Sequence, residues 1–576
     1  MNCETLFQRV ESTGVKRLCC VFLVALPAIG VRQPTALFRE IAPDVSGIVW
    51  THENGRSTNR YLPETIGPGV AIFDYNNDGL MDILFINSGL SSFYTPSKAL
   101  RHALYRNNGN GTFTDVTQSA GITANFYGMG VAAADYDGDG WPDLFITGWQ
   151  KCVLYHNNRD GTFTDVTAAS GISPLKWSTS AVWFDYDNDG KLDLFVGQFA
   201  DYSETRICHQ EDSYGGTGAG LDAQHAYYCS PKIFNPLPSH LYRNLGGGRF
   251  EDVSEQTGIL SHSGKAWGVV AADINGDGFT DLFVANDTME NFLWVNRKGQ
   301  KFEEIGLESG TGYGADGVMR SGMGVDAADF DRDGKEDLIV ANIDGETTSL
   351  YRNIGHEQFE DINIQTGLAS LTRMFSGWGL GFLDYDNDGW LDLVLSNGHP
   401  DDTVDLRNRG VTYREPIFLL RNRNGRHLDN VSSQAGPAFL KNYAARGLAI
   451  GDLNNDGYPD IVFTENGGPP HLILNNACGG NHWLGLQLRA KTANPSAVGA
   501  VIRWSIDGKA FSRVKAAGGG FLSSHDPREI LGAGQSSIDW IEVRWPAPSR
   551  AVDRVLHPKM DRYLVLTEGQ SPVPHT

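Results

Sequence analysis

Basic side chains are the scarce class in this 576-residue chain: 47 Lys and Arg stand against 69 Asp and Glu, a formal net charge of −22. Binding duplex nucleic acid or an anionic membrane surface needs clustered Lys and Arg, so no nucleic-acid partner is expected. Long apolar runs are missing too. Beyond residues 18–29 none approaches the ~18 residues of a bilayer-spanning helix, and the mature chain is expected to have no integral membrane span and to be soluble. There is no H-E-x-x-H, no G-x-S-x-G and no G-x-x-x-x-G-K-[ST], which removes the linear signatures of zinc peptidases, α/β-hydrolases and P-loop NTPases. Disorder is excluded in turn by 41% hydrophobic and 11% aromatic residues, since a disordered acidic chain has too little apolar surface to bury. The acid therefore belongs to a folded structure that is rich in glycine, with 68 residues or roughly 12% against a typical ~7%.

The first thirty residues differ from the rest. Lys16 and Arg17 precede the apolar run LCCVFLVALPAI, and Ala28-Ile29-Gly30 offers a small-residue cleavage site, the pattern of an export signal over 1–30. An uncleaved anchor and a misplaced start codon are the other readings. Without Cys3, Cys19 and Cys20, four cysteines remain at 152, 208, 229 and 478, an even number that suits an oxidising compartment. A secreted, periplasmic or extracellular location is expected.

One nonapeptide, D-x-[DN]-x-D-G-x-x-D, recurs seven times, starting at Asp74, Asp135, Asp185, Asp273, Asp329, Asp384 and Asp452. The intervals of 61, 50, 88, 56, 55 and 68 residues mark a unit of about fifty residues, with insertions at about 199–240 and 397–417. Each unit has four parts. A run of small and apolar residues (GMGVAAAD, 128–135) leads into the aspartates; a β-branched and aromatic run follows (DLFIT, 143–147); then come L-Y-[RH]-N and F-x-D-V segments. All four read as short strands. Seven units of four antiparallel strands predict an all-β, seven-bladed β-propeller over 31–478, with the small-residue strand nearest the axis where blades converge. The seventh unit ends at HLILNN (471–476) and lacks its fourth strand, while an orphan copy, LFREI (37–41), precedes the first unit. The N-terminal strand is expected to complete the last blade and so leave no open edge.

Loop positions 1, 3, 5 and 9 carry carboxylate or amide oxygens, and position 6 is always glycine, which allows the sharp turn. These are Asp74, Asn76, Asp78 and Asp82; Asp135, Asp137, Asp139 and Asp143; Asp185, Asp187, Asp189 and Asp193; Asp273, Asn275, Asp277 and Asp281; Asp329, Asp331, Asp333 and Asp337; Asp384, Asp386, Asp388 and Asp392; and Asp452, Asn454, Asp456 and Asp460. With the position-7 carbonyl and water, each set makes an all-oxygen cage of the kind Ca²⁺ takes with 6–8 ligands, whereas Mg²⁺ demands a stricter octahedron. An EF-hand is excluded, because it needs a bidentate Glu at position 12 and that position holds Phe85, Ile146, Val196, Val284, Val340, Leu395 or Phe463. About seven structural Ca²⁺ ions are expected, each pinning one hairpin, because a catalytic metal needs one atypical site with an open position.

These hairpins, with L-Y-R-N and F-x-D-V-T between them, resemble the FG-GAP/VCBS repeats of integrin α-subunit propellers and many secreted bacterial proteins, over roughly residues 36–478. Such propellers serve mostly as adhesion and interaction platforms. NHWLGLQL (481–488), SAVGAVIRW (496–504), AAGGGFLSSHDPREILGAG (516–534) and IDWIEVRWPAP (538–548) are similar to the ASPIC/UnbV domain of the cartilage-acidic-protein-like family. Ala533, between Gly532 and Gly534, and Pro546-Ala547-Pro548 depart from that family's usual Gly-Leu-Gly and Pro-Ser-Gly. Short alternating runs without helical periodicity predict a small β-rich domain over 479–570 and a tail at 571–576.

The first insertion holds Tyr202, Tyr214, Tyr227, Tyr228, His209, His225 and His240 with the pair Cys208/Cys229. A disulfide there is favoured over free thiols or a Cys/His metal site, since zinc-type C-x₂-C spacing is lacking. In the second insertion His399, Asp401 and Asp402 are candidates for a polar site, and loop placement makes them as readily solvated or capping residues. Gly377-Trp378-Gly379-Leu380-Gly381 lies in an axial strand and is no nucleotide loop. The function expected is a calcium-stabilised binding or adhesion module for an extracellular protein or glycan, with oligomeric state open. The alternative is a secreted or periplasmic hydrolase using the propeller channel as scaffold; no catalytic residue or organic cofactor is assigned, and an enzyme is the lesser expectation. Residues 481–576 carry a net +4 against about −27 for the ring, so electrostatic docking of the two is a further expectation.

Overall fold

The structure, a computed structural model, describes residues 37–98, 100–209, 226–407, 410–476, 480–570 and 573–574. The export signal, Tyr214, His225 and Cys478 lie outside the described residues. Seven antiparallel sheets, each with four blade strands and the fourth widened to six by two further short strands, follow one another along the chain. In the first blade the strands are Val70–Phe73, Asp82–Phe85, Ala103–Asn107 and Phe113–Asp115. In the seventh, Ala445–Gly451, Asp460–Glu465 and Pro470–Asn475 are completed by Phe38–Ile41, which pairs antiparallel with the third of them, Phe38 opposite Asn475 and Ile41 opposite Leu472. Chain start and repeat end thus share one sheet, and the ring closes.

Every aspartate loop joins a first strand to a second strand in the same register. The residue before the loop faces the ninth loop position: Phe73 opposite Asp82, Ala134 opposite Asp143, Leu383 opposite Asp392. The apolar core lies between neighbouring blades. Tyr136, Phe145 and Leu154 of the second blade pack on Trp183, Leu194 and Tyr242 of the third, and the closing interface places Ile72 and Phe85 against Leu453 and Val462.

A repeated asparagine fastens each blade to the one before it. The third strand's Asn157 donates its Nδ2 to Tyr75 O at 2.8 Å, and Asn244, Asn296, Asn353, Asn422 and Asn475 do the same to Tyr136, Tyr186, Ile274, Phe330 and Tyr385. Asn107 reaches Leu453 O of the seventh blade at 2.8 Å, which carries the stitch across the closure. Near the axis the blades meet backbone to backbone. Five residues before each first aspartate stands Gly69, Gly130, Gly268, Gly324, Gly379 or Gly447, and a Cβ on Gly324 would lie 2.1 Å from Trp378 O of the next blade. The third blade has Ser180 at this place.

The C-terminal segment forms two four-stranded sheets. Glu529–Gly534, His482–Arg489, Tyr563–Thr567 and Val573–Pro574 make one; Lys509–Val514, Val501–Ile506, Ile538–Arg544 and Val552–Leu556 make the other. Leu484, Leu486, Ile502, Ile541, Trp545 and Leu564 fill the space between them. This sandwich sits on the propeller face that carries the aspartate loops. Tyr563 donates its hydroxyl to Asp452 Oδ2 at 2.7 Å, Arg528 donates to Asp452 O and Asn455 Oδ1, and Trp483 occupies the space beside Gly457.

Residues 517–526 of the sandwich enter the ring along its axis, leaving a cavity of about 210 Å³ between the first strands and His525 and Arg528. Gly520–Phe521 extends the fourth blade by pairing with Gly268 and Val269. Val131 N donates to Leu522 O at 3.1 Å, Ile72 N to Ser524 O at 3.0 Å, and Ile450 N to His525 Nδ1 at 3.0 Å. Ser180, the odd residue in the ring of glycines, accepts Leu522 N–H at 2.8 Å. Phe521 ends between Trp267 and Trp378, with ring centroids at 6.1 and 5.3 Å. Among the described residues the sandwich's ion pairs (His482–Asp561, Arg503–Glu542, Arg513–Glu529, Arg528–Asp526) are all internal, and its charge acts on the ring at a distance, Arg528 on Asp452 and Asp74 and Arg513 on Asp326. Backbone pairing, apolar insertion and the Tyr563 and Arg528 hydrogen bonds make the direct contact.

Candidate metal centres and the opposite face

Within each loop the aspartates organise the turn before any cation is considered. Asp74 accepts Asp78 N–H at 3.1 Å on one oxygen and Gly79 N–H at 2.8 Å on the other, and the first aspartates of the second, third, fourth, fifth and seventh loops repeat this. In the sixth, Asp384 accepts Gly389 N–H at 2.7 Å while its buried Oδ1 has no hydrogen-bond partner. The fifth-position aspartates accept the N–H two residues on, as Asp139 does from Trp141 at 2.9 Å. The ninth-position aspartates link strands: Asp143 takes Tyr136 N–H at 3.2 Å and Asn157 N–H at 2.8 Å. The fourth position is left-handed throughout, with φ between 54° and 61° at Asn77, Asn188, Arg332, Asn387 and Asn455 and glycine in the other two loops. That conformation favours Asn and Gly, a regularity the motif as first written, with any residue at position 4, leaves out.

The turns draw carboxylates together. Oxygens of Asp135, Asp137 and Asp143, of Asp185, Asp187 and Asp193, of Asp329, Asp331 and Asp333, and of Asp384, Asp386 and Asp392 lie within 4.8 Å of one another. Where position 3 is an amide, Asn76 Nδ2 donates to Asp78 at 2.8 Å, Asn454 Nδ2 to Asp456 at 2.9 Å, and Asn275 Nδ2 to Glu357 at 3.1 Å. Burial pushes the carboxyls up, to about 6 for Asp74, about 7 for Asp135 and Asp185 and about 8 for Asp82 and Asp337, with neighbouring aspartates adding to it. Burial also raises Asp193, Asp281, Asp392 and Asp460 well above the usual carboxylate range. Desolvated carboxylates in contact, one with an orphaned oxygen, fit a hard divalent cation. All seven loops are on one face, beneath or beside the sandwich.

The opposite face carries both insertions, because second and third strands connect at the end away from the aspartate loops. Sγ of Cys208 and Cys229 are 2.07 Å apart, a disulfide with a Cα–Cα distance of 5.3 Å; Cys152 is a buried free thiol. Tyr202 packs edge-on against Trp149, Trp177 and Phe234. Arg60, on the segment before the first blade, lies over the Tyr228 ring at 5.3 Å and pairs with Asp402 at 2.5 Å, and Arg56 joins Asp402 at 2.6 Å. Both insertions are thus tied to one N-terminal segment. His399 and Asp401 are in contact, with Asp401 N–H donating to His399 Nδ1 at 3.0 Å, while the carboxylates turn to different partners. Asp401 Oδ1 caps Thr403, His399 is buried with Nε2 3.3 Å from Asp344, and Asp402 serves the arginines. Sequence reasoning missed Arg446, which is fully buried, stacks 4.1 Å from Trp378 and donates to Thr65, Gly398, Ala445 and His399 carbonyls. Its signal is a charge in an otherwise small and apolar first strand, ARGLAIG. Among the described residues no helix is long and apolar enough to cross a membrane.

Comparison with known proteins adds two family matches. FG-GAP-like repeats match at 74–146, 135–196, 233–284, 273–340 and 329–395, and the ASPIC and UnbV family matches at 490–573. Cartilage acidic protein 1 of Xenopus tropicalis is 27% identical over 305 residues, 51% of this chain and 44% of that protein. The Homo sapiens protein of that name is 25% identical over 321 residues, 54% and 45%. The aligned region thus spans less than half the length of these curated relatives. Among solved structures, an Agrocybe aegerita lectin described as recognising non-reducing terminal N-acetylglucosamine aligns at TM-score 0.39 and 14% identity, covering 71% of this chain and 95% of that one. YCF48 bound to a D1 peptide aligns at TM-score 0.37 and 9% identity, covering 71% and 92%. Likenesses this loose carry nothing about ligands.

Proposed function

This chain belongs to the family that joins FG-GAP-like repeats to an ASPIC and UnbV domain, and we propose that it is an exported, calcium-stabilised binding module for an extracellular protein or glycan. The ring is taken as 31–478, the sandwich as 479–570 and the export signal as 1–30. In each loop the oxygens of positions 1, 3, 5 and 9, from Asp74, Asn76, Asp78 and Asp82 to Asp452, Asn454, Asp456 and Asp460, hold one Ca²⁺, which offsets repulsion among buried carboxylates and locks the hairpin.

One observation carries the choice of face: residues 517–526 occupy the axis and the aspartate-loop face is capped by the sandwich. A ligand is left the insertion face, where the Cys208–Cys229 loop, Arg60 and Asp402 are tied together. The axial segment narrows the channel to a cavity of about 210 Å³ lined by Asp326, Glu336, His525 and Asp526, and the hydrolase alternative is left to the turnover measurement below.

Two measurements test this reading. Chelation should lower the thermal midpoint, and calcium alone should restore it; an unchanged midpoint would remove the ions from the account. On the calcium-loaded full chain, a glycan array and extracellular-protein binding assays should give a signal that Arg60→Ala weakens. Turnover on a hydrolase-substrate panel with no binding signal would favour an enzyme instead.

A further inference from the structure

The second loop differs from the other six by one donor. The residue before each stitching asparagine on the third strand is Arg106, Arg243, Arg352 or Arg421 in four blades, Val295 and Leu474 in two, and His156 in the second. Arginine at this place spans the outer rim. Arg243 reaches Asp187 at 2.6 Å, and Arg421 reaches Asp386 at 2.8 Å and Asp388 at 3.0 Å. A guanidinium has no lone pair to give a metal.

The imidazole sits deeper. His156 Nδ1 is 3.2 Å from Asp137 Oδ2 and 3.3 Å from Asp143 Oδ1, two of the oxygens expected to meet in the loop's cage, and the atom is shielded from solvent. A His156 nitrogen also lies within 4.8 Å of ligand oxygens from both Asp137 and Asp139. Arg159, paired with Asp139 at 2.6 Å, is more than half exposed and free to swing aside. Tyr136 packs edge-on against the imidazole at 6.5 Å.

Calcium takes oxygen donors almost exclusively, whereas imidazole joined to carboxylates favours first-row transition metals, whose affinity for N/O sets exceeds that of hard alkaline-earth ions. We propose that the Asp135–Asp143 loop, with His156, is a mixed nitrogen and oxygen site that takes a transition-metal dication in the presence of calcium, unlike the six all-oxygen loops. This rests on the loops being cation sites at all.

The test uses the full chain stripped with chelator, returned to excess calcium, and given cobalt(II) as the probe. The wild type should retain about one cobalt per chain through dialysis, with a visible d–d band shifted by nitrogen ligation. His156→Arg, the residue the third and sixth blades use, and His156→Gln, which keeps the size and offers an oxygen, should both lose the cobalt and its band. Their calcium content and the stabilisation by calcium should persist. Cobalt retained equally by both variants, or no cobalt held by the wild type against calcium, would overturn the proposal. Calcium bound without cobalt removes this site's selectivity alone; neither ion bound removes the calcium reading with it.

Discussion

At the level of single residues, the ring is built from a few positions with one duty each, repeated with small substitutions. Position 6 of every loop is glycine with φ between 81° and 91°, and this much is evident from the motif. The asparagine of L-Y-[RH]-N is equally visible as a repeat, but its duty is not. Only the folded ring shows Nδ2 spending its hydrogens on carbonyls of its own and the preceding blade, as Asn296 does on Thr280 O and Tyr186 O. The axial glycines were legible as small residues near a crowded centre, and the structure identifies what crowds them. Gly324→Ala would force Cβ onto Trp378 O, and an overpacked site of this kind costs about 1–3 kcal/mol. Denaturant unfolding of calcium-loaded Gly324→Ala should show that loss; stability equal to wild type would mean the blades separate more easily than their backbone contacts imply.

Among elements, the closing strand Phe38–Ile41 has a clasp of its own. Glu40 accepts from His471 Nδ1 at 2.6 Å and from Lys441 at 2.8 Å, while His471 Nε2 meets Glu465 at 2.9 Å and Arg414 holds the other Glu465 oxygen at 2.5 Å. The His471 hydrogen bond, helped by Lys441 and opposed by burial, brings Glu40 down to about 2. Burial alone would lower His471, but its bonds to Glu40 and Glu465 outweigh that and raise it above 6.5. Glu40's contribution is present above its ordinary 4.5 and fades as pH falls toward 2; that of His471 is complete below 6.5 and fades as pH rises through its raised value. Amide exchange across Phe38–Ile41, corrected for intrinsic rates, should therefore be slowest between about pH 4.5 and 6.5. Glu40→Gln should flatten the profile. A wild-type profile already flat would show that backbone pairing alone holds the strand. The sequence placed this strand correctly, from an orphan F-x-E repeat and a truncated last unit, because both are local patterns. It was silent on the plug, since Ala517-Gly518-Gly519-Gly520 in the sandwich reads as a loop until the axial strands it pairs with are in place.

For the whole molecule, net charge is a poor guide to assembly. Of the ring's aspartates, 25 stand in the seven loops, aimed inward at one another. The +4 of residues 481–576 forms no ion pair with the ring among the described residues; the direct contacts are Phe521 and Leu522, strand pairing, and the Tyr563 and Arg528 hydrogen bonds. Raising salt to ~1 M shortens the Debye length to ~3 Å and should leave the radius of gyration of the calcium-loaded chain unchanged in small-angle scattering. Expansion with salt would support the electrostatic account. Capping the loop face also divides the molecule: aspartate loops and sandwich on one side, disulfide loop and Arg60–Asp402 tie on the other.

Repeat number, strand order, the closing strand and the composition of the aspartate loops all follow from the sequence by itself, because each is a periodic pattern whose parts lie within about fifty residues. Three decisions belong to the tertiary structure: which carboxylates gain a nitrogen neighbour, what occupies the axis, and which face stays open. His156 and Asp137, 19 residues apart, meet when the third strand of one blade folds back beside its loop, whereas Ser180 and Leu522, 342 residues apart, become neighbours only when the blades wind around a common axis. The acid excess that sets this chain apart is thus local in origin, and what it can bind is settled by that winding.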